Sequence, residues 1–451
     1  MKRTAMLFVL SFILIALTAC GGVPNSSNTP SSQAASGAES SDAAKTSDEV
    51  QTSNEAKTLD VWFTSVDSET EKIIRGLAED FKKDGVTVNV SFTQADPYRT
   101  KLKTVMGSGG APDVFVNWGG GATEQFISEG QLFDITDKVQ DWKNDVFSAS
   151  WNEVTFGDDN RIYGVPYNIH GSMMFYNKTM FAKLGLKPPA TYAELEKVAD
   201  TLIKNKVIPF ALGNSPRWPG AIYHSDLVMQ IGGKDVLANL VNNKGNAFMD
   251  EAFIKASQLV LDEYKAGWFP EGANGINYET GGSRSLFYDG KAGMMVVNTN
   301  FPPRAKDEAP DFYANDLGIM PFPIYEGGKG NEGIICGVEA LSVTNKCKYK
   351  DEAIEFIRRF TTDPDIVTRR GNEGGVMVTW TGIKYTEQMR QDAWNQLTSA
   401  KYMNNYIADS LNADLGNLYW DTTQALFGGM LTAEEASQQL QKLADQLIPK
   451  N

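Results

Sequence analysis

The sequence predicts an α/β fold of two lobes joined by crossing strands, on the basis of three observations. Short runs with the alternation of strands are interleaved with amphipathic helical runs from residue 58 onward. Residues 58–451 exceed the roughly 250–300 residues at which a single hydrophobic core stops growing, so two cores are expected. No Pro- or Ser-rich linker interrupts this stretch. The connection between the lobes is therefore expected to consist of strands that cross from one lobe to the other.

The order of elements follows from local periodicity. Ser68 and Glu71 have the spacing of a capping box, and apolar residues recur at helical spacing behind them. Two further capping boxes begin at Thr191 and Thr432. The expected strands are 59–64, 86–92, 113–116, 208–212 and 293–297, and the expected helices include 68–81, 98–106, 350–360 and 433–447. Because strands that alternate with helices form parallel sheets covered on both faces, such sheets are expected here.

The composition limits the classes of partner. Hydrophobic residues make up 42% and aromatic residues 11% of the 451 residues, enough for large cores. The formal net charge of −14 and the pI near 4.8 argue against nucleic acid or an anionic lipid surface as the main partner. Beyond Cys20, the cysteines are Cys336 and Cys347. Two buried free thiols are favoured over one disulfide, and the fold does not depend on a disulfide framework.

The N-terminus has the features of an export signal. A basic start precedes an apolar run at 6–17, which is too short for a permanent membrane span. The run ends in Leu-Thr-Ala-Cys20, which resembles the bacterial lipobox. Residues 1–19 are therefore expected to be a lipoprotein signal peptide and Cys20 the lipidation site; an ordinary signal peptide with a chance cysteine is the alternative. Residues 20–56 have no Phe, Trp or Tyr and are expected to be a disordered tether to the extracytoplasmic face of the cell membrane.

Motifs of catalysis and metal binding are missing from the sequence. His170 and His224 do not have the spacing of a metal site, and no G-x-S-x-G motif is present. The acidic turn at 158–160 lacks the other ligands of a calcium loop, and 326–330 lacks the context of a phosphate loop. A glycosidase pair of carboxylates is not excluded by counting, but no two acidic residues are singled out. We therefore expect a protein without catalytic residues, metal or cofactor.

Several segments carry a resemblance to one family. They are 112–115, 163–170 (YGVPYNIH), 174–178 (MFYNK), 181–186, 188–195, 290–295 (GKAGMM) and 337–343. In this order and spacing, the chain resembles the extracellular solute-binding proteins (family 1), the maltose-binding-protein-like lipoproteins that serve carbohydrate ABC importers. The resemblance implies a type II periplasmic-binding-protein fold, with the ligand in a cleft between two lobes joined by crossing hinge strands. It assigns residues 57–167 plus 300–337 to the N-terminal lobe, and 168–299 plus 338–451 to the C-terminal lobe.

The resemblance also implies a set of ligand-binding residues. Polar contacts are expected from loops and hinge strands, and aromatic platforms from tryptophan and phenylalanine side chains. The residues are Ser65, Asp67, Asn117, Trp118, His170, Trp218, Asn298, Phe301, Glu339 and Trp420. Each has a structural alternative: the tryptophans and Phe301 could pack in cores, Asp67 could cap the following helix, and Asn298 could satisfy amides at a strand end.

The function that the resemblance implies is capture of a small carbohydrate. An oligosaccharide is favoured over a monosaccharide because several aromatic platforms are expected. The protein would then deliver this ligand to the permease subunits of an ABC importer by hinge closure, as a monomer held to the membrane by its lipid anchor. Nucleic acid is not an expected partner. The alternatives are a protein of the same fold that binds a polyol or a glycerol phosphate, and a surface glycan hydrolase.

Overall fold

A computed structural model of the protein describes residues 56–278 and 281–448. The expected signal peptide at 1–19, Cys20 and all but the last residue of the expected tether lie outside the described residues. The described residues form one compact unit. The fold below is that of this unit.

Strands and helices alternate over residues 57–128, as the sequence predicts, and several helices follow one another farther along the described chain. The strands are β1 Lys57–Thr64, β2 Val86–Thr93, β3 Val114–Asn117, β4 Thr155–Phe156, β5 Arg161–Ile162, β6 Val165–Asn177, β7 Ile208–Phe210, β8 Ala292–Asn298, β9 Leu317–Met320, β10 Gly333–Val343 and β11 Tyr402–Asn404. The helices are α1 Ser68–Lys83, α2 Ala95–Ser108, α3 Gly120–Ser128, α4 Lys178–Lys183, α5 Tyr192–Lys204, α6 Trp218–Gly232, α7 Asp235–Val241, α8 Glu251–Lys265, α9 Gly282–Tyr288, α10 Phe301–Glu308, α11 Pro310–Asn315, α12 Lys350–Thr362, α13 Pro364–Asn372, α14 Gln388–Ser399, α15 Ile407–Ser410, α16 Ala413–Leu426 and α17 Ala433–Leu447. Short 3-10 helices lie at Thr136–Lys138, Lys143–Asp145, Ser148–Val154, Ala247–Met249 and Ala273–Gly275.

A mixed sheet runs through the unit in the order β2-β1-β3-β10-β6-β8-β7, with β11 beside β10 and β9 beside β6. β1 pairs in parallel with β2 and β3, and β7 pairs in parallel with β8. β10 is antiparallel to both β3 and β6. The expected parallel pairing is therefore correct for the two flanks of the sheet, and the middle of the sheet is antiparallel.

β6 and β10 are the strands that cross the unit. β6 pairs with β10 over its first half, and with β8 and β9 from Ser172 to Asn177. β10 pairs with β6 from Cys336 to Leu341 and with β3 from Ala340 to Val343. Each strand therefore contacts both flanks of the sheet, which agrees with the expectation of crossing strands.

The packing of two segments differs from the partition expected above. Leu341 and Phe360 share a buried cluster with Leu59 and Val116, on the side of β1–β3. The segment 301–317 shares another cluster with the second half of β6. The expected partition placed 300–337 with residues 57–167, and 338–451 on the other side. The reason for the difference is the direction of β10, which carries the chain toward β3, so that the segment behind it joins the β1–β3 side.

Helix starts follow the sequence with one shift. The side chain of Asp67, and not that of Ser68, caps α1 by accepting hydrogen bonds from the amides of Glu69 and Thr70. Thr432 and Glu435 form the expected capping box at α17. The Thr191 side chain caps α5 by accepting from the amide of Glu194. Oδ1 of Asp67 therefore has the capping role that was the alternative interpretation of this residue.

Other features within the described ranges bear on the sequence expectations. The acidic turn between β4 and β5 is a hairpin turn. Cys336 and Cys347 are both free and buried. Among the described residues, no helix is long and apolar enough to cross a membrane. No group of three or more potential metal-binding His, Cys, Asp or Glu side chains occurs in that same part of the chain.

Candidate ligand-binding site

A cavity, called the first cavity below, opens beside the paired stretch of β6 and β10. Residues from both flanks of the sheet line it, together with residues of the crossing strands. Of the residues expected from the sequence, seven line it: Ser65, Trp118, His170, Trp218, Asn298, Glu339 and Trp420. Residues that are far apart in the sequence thus line one cavity.

The crossing strands place His170 and Glu339 side by side. Gly337 is opposite His170, and Glu339 is opposite Asn168, so both side chains project from the same face of the paired strands. The register shifts between Glu339 and Ala340, which leaves one extra residue on β6 at this point. Such bulges re-aim side chains, and this one lies where the Glu339 carboxylate turns toward the cavity.

Glu339 is held as a carboxylate by its neighbours. The Tyr167 hydroxyl and the Asn168 amide each donate to Oε2 of Glu339 at 3.0 Å. Burial alone would raise the pKa of this carboxyl, but the nearby His170 imidazole and the hydrogen bonds lower it to about 2. Arg370 is fully buried behind the strands and donates to Oδ1 of Asn168 at 2.6 Å. A buried polar network therefore fixes the position of an ionised carboxylate at the cavity.

His170 is a buried group at the first cavity with unused hydrogen-bonding capacity. Its side chain is only 5% exposed, yet neither ring nitrogen has a hydrogen-bond partner among the described residues. Nε2 lies 3.4 Å from Oε2 of Glu339, near enough for charge attraction if the ring is protonated, but without the angles of a hydrogen bond. Because an unpaired buried polar group is costly, such a ring is suited to a ligand that supplies the missing partner.

Three tryptophans form the aromatic walls. Trp118 follows β3, Trp218 begins α6 and Trp420 lies on α16. Trp218 follows Arg217, whose φ of +69° is in the left-handed region that residues with a Cβ seldom adopt. The Trp218 ring packs edge-on against Tyr278, with ring centroids 4.8 Å apart. The walls therefore come from three elements that are far apart in the chain.

Three expected residues do not line the first cavity. Asp67 caps α1 and borders a side cavity that also contains Ser65 and Glu339. Asn117 is buried, donates to the Ser342 hydroxyl, accepts from the Gly119 amide, and borders an adjoining second cavity. Phe301 is fully buried against Phe175, with ring centroids 5.0 Å apart, and borders none of these cavities. Phe301 is thus a core residue, as its alternative interpretation held.

Several residues of the first cavity are not among those expected from the sequence. They include Gln94, Arg99, Ser225, Tyr278, Asn300, Arg304, Tyr406 and Asp409. Asn300 follows β8 by two residues, so the strand-end signal that indicated Asn298 could have included it. Oδ1 of Asn300 is buried without a hydrogen-bond partner among the described residues, and the backbone N–H of Asn300 donates to Oδ1 of Asn298. Tyr406, which donates to the His170 carbonyl at 2.7 Å, has no local sequence signal.

The arrangement combines flat aromatic faces with groups that donate and accept hydrogen bonds. Glu339 and Asn300 offer oxygen acceptors, and the two ring nitrogens of His170 offer further hydrogen-bonding positions. A ligand that has apolar faces and a polar rim would satisfy both kinds of wall. The chemistry available in the first cavity is therefore recognition of a small polyhydroxylated solute.

Comparison with known proteins gives the same indication. The sequence model of the family described as "Bacterial extracellular solute-binding protein" matches residues 67–365. The multiple sugar-binding protein of Streptococcus mutans is 27% identical over 303 residues, which cover 65% of this chain and 69% of that protein. The maltotriose-binding protein of Pyrococcus abyssi is 22% identical over 335 residues, which cover 74% and 68% of the two chains.

Solved structures share the fold. A protein from work on xylan utilisation by Caldanaerobius polysaccharolyticus has a TM-score of 0.78 at 27% identity, covering 86% of this chain and 99% of its own. A chitin oligosaccharide binding protein has a TM-score of 0.79 at 21% identity, covering 87% and 98%. A sugar transporter from Bacillus licheniformis in complex with stachyose has a TM-score of 0.68 at 21% identity, covering 86% and 98%.

Proposed function

The chain belongs to the bacterial extracellular solute-binding protein family, and we propose that it binds a sugar in the first cavity. One observation carries this proposal. A buried imidazole without a hydrogen-bond partner among the described residues lies beside an ionised carboxylate, between aromatic walls. His170 and Glu339 supply the polar groups, and the tryptophans supply the apolar faces. A sugar ring presents C–H faces and a rim of hydroxyls, so it matches both.

The proposed ligand is an oligosaccharide. Three tryptophans border one cavity, which is more stacking surface than a single ring requires. The relatives named above include proteins whose names specify multiple sugars and maltotriose. Since buried polar groups left unpaired are costly, the cavity would discriminate strongly against an analogue that lacks one of the recognised hydroxyls.

The proposed mechanism of uptake is closure around the ligand followed by delivery to an ABC importer permease. Ser65 and Trp118 follow strands on one side of the crossing strands, while Trp218 and Trp420 come from helices that pack on the other side. A ligand that contacts both sides stabilises the closed arrangement, which shifts the population toward it. The proposal also includes residues 1–19 as a signal peptide and lipidation at Cys20, because the protein must stay near the permease outside the cell. The proposed state is a monomer.

One observation bears on each of two alternative functions. Arg304 is an exposed cation at the edge of the first cavity, which would suit a phosphorylated polyol or glycerol phosphate. A glycan hydrolase needs one carboxyl with a raised pKa as general acid. The pKa of Glu339 is instead lowered to about 2, so Glu339 does not fit that role. We therefore propose a binding protein without catalysis.

A thermal-shift screen tests this proposal. The purified protein would be heated with mono-, di- and oligosaccharides, polyols and glycerol phosphates. A ligand at 100 times its Kd stabilises the native state by about 2.7 kcal/mol, which is visible as a higher Tm. A rise confined to one sugar series supports the proposal and identifies the series. A rise with glycerol phosphates alone, or turnover of a glycan, would replace it.

A further inference from the structure

We propose that Arg99 is a length-selecting gate in the ligand cleft, a specificity role that rests on the proposed function. A sugar short enough for the first cavity leaves Arg99 in place. A longer sugar chain must displace the Arg99 guanidinium in order to continue into the second cavity. The structure supports this through the continuity of the two cavities and the contacts of Arg99 between them.

The second cavity adjoins the first. The residues that border both cavities form the boundary between them: Arg99, Trp118, Ala408, Asp409 and Trp420. Beyond this boundary, the second cavity offers amide, hydroxyl and basic groups from Lys103, Asn117, Gln125, Ser215, Arg217 and Asn417. Such groups can hydrogen-bond sugar hydroxyls, so the second cavity suits further rings of one sugar chain.

Arg99 lies between the two boundary tryptophans. Its guanidinium carbon is 3.6 Å from the centroid of the Trp118 ring and 5.5 Å from that of Trp420. Its Nη1 lies 3.3 Å from Oδ1 of Asp409, and the Arg99 side chain is 31% exposed. Arg99 comes from α2, whereas Asp409 and Trp420 come from α15 and α16. The guanidinium therefore spans the boundary and covers the ring face on which a sugar would stack.

A ligand that crosses the boundary must break the contacts of Arg99 with Trp118, Trp420 and Asp409, and this loss weakens its binding. A cation–π contact contributes most when it is partly desolvated, and an ion pair that is partly exposed is weakened by salt. The loss affects only a ligand that is long enough to cross the boundary. Removal of the Arg99 side chain should therefore favour long ligands over short ones.

The test is isothermal titration calorimetry of the full chain with ligands of increasing length. The probes are melibiose, raffinose and stachyose (a di-, tri- and tetrasaccharide), with the xylo- and malto-oligosaccharides of the same lengths in parallel. The measured quantity is the ratio of disaccharide Kd to tetrasaccharide Kd. For Arg99→Ala we expect this ratio to rise about tenfold, which corresponds to about 1.4 kcal/mol. Asp409→Asn, which breaks the ion pair from the other side, should raise it by a smaller factor.

Lys101→Ala is the matched control. Lys101 also lies on α2 with its Nζ 3.7 Å from the ring centroid of a tryptophan, Trp62, but it borders neither cavity. The ratio of disaccharide Kd to tetrasaccharide Kd for Lys101→Ala should equal that of the wild-type protein. Higher NaCl should raise the wild-type ratio and leave the Arg99→Ala ratio unchanged, which a purely structural role would not produce.

Three results would overturn the gate. An Arg99→Ala ratio equal to that of the wild-type protein would show that Arg99 is no barrier. Weaker binding at every length would make Arg99 an ordinary ligand contact. If the protein binds no sugar of the thermal-shift screen, the proposed function fails together with the gate, whereas binding without a length effect overturns the gate alone.

Discussion

His170 and Glu339 face the first cavity from adjacent, antiparallel strands, with Nε2 3.4 Å from Oε2. The carboxylate is anchored from behind by Tyr167 and Asn168, whereas the imidazole has no hydrogen-bond partner among the described residues. The pair thus combines a fixed anionic acceptor with a ring whose hydrogen-bonding capacity is unused. This asymmetry between the two partners is the basis of the first prediction.

Glu339→Gln should weaken sugar binding roughly 10- to 100-fold, because a charged hydrogen bond contributes about 1.5–3 kcal/mol. Titration calorimetry with the sugar found in the thermal-shift screen measures this change. Gln keeps the size of Glu, so near-UV circular dichroism should be unchanged. An unaltered Kd in a folded variant would remove Glu339 from the site.

The same variant should change the acid stability. The pKa of Glu339 is lowered from 4.5 to about 2 in the folded state, despite burial, by His170 and the hydrogen bonds. A lowered pKa adds stability that is present above the unfolded-state pKa and is lost as the pH falls through the folded-state pKa. The free energy of unfolding of the wild-type protein should therefore exceed that of Glu339→Gln above about pH 4.5, and this difference should be lost as the pH falls to about 2. Urea unfolding at several pH values measures this difference, and a constant difference would contradict it.

Trp420→Ala should weaken binding roughly tenfold or more through loss of a stacking face. Trp62→Ala is the control, since Trp62 lies on β1 and borders neither the first nor the second cavity. Calorimetry on both variants with the same sugar should show the loss in Trp420→Ala alone. Equal losses would indicate that the tryptophans act through general stability and not through ligand contact.

Arg370→Ala should lower the free energy of unfolding by about 3–5 kcal/mol, because it breaks a buried polar network. Arg370 donates to the Phe360 carbonyl at 2.7 Å and to Asn168, which in turn donates to Glu339. Arg358→Ala removes an exposed arginine paired with Glu355 three residues earlier and should change stability by less than about 0.5 kcal/mol. Chemical denaturation measures both, and similar values for the two variants would contradict the prediction.

Local sequence patterns predicted part of the elements, among them β1–β3, β7, β8, α1 and α17, because capping and hydrophobic periodicity act over a few residues. The capping box at Thr432 is an example. The N-cap predicted from the pattern at 68–71 was one residue too late. Asp67 and Ser68 are both good N-cap residues, and only the backbone geometry decides between them.

Long-range pairing was beyond the reach of these patterns. The side on which α12 packs depends on the pairing of β10 with β3, strands separated by more than 200 residues in the chain. Periodicity carries no information about such a partner. Phe301 illustrates the same limit within the site: it begins a helix and is followed by Pro302, but no local signal shows that its ring points into the core. His170 and Glu339 could be predicted only because the resemblance supplied the crossing strands.

Asp226→Asn should stabilise the protein increasingly as the pH rises from about 4 to about 8. Asp226 is buried and accepts a hydrogen bond from the Ser172 hydroxyl at 2.5 Å. Burial raises the pKa of its carboxyl to about 8, and the Ser172 hydrogen bond opposes this only in part. The unfolded carboxyl has a pKa of about 3.9, so between these values the folded state retains a proton that the unfolded state releases. The stability that this group provides is therefore full below pH 4 and is lost as the pH rises toward 8.

Asn at position 226 can still accept from Ser172 and has no proton to lose, so its contribution to stability should not vary with pH. The difference in unfolding free energy between variant and wild type should grow by up to about 1.4 kcal/mol per pH unit across this window. Asp262→Asn alters an exposed carboxylate of α8 and is the control, with no comparable trend expected. Urea unfolding at one-unit steps from pH 4 to pH 8 measures the trend. A difference that stays constant over this range would mean that Asp226 is ionised in the folded protein despite its burial.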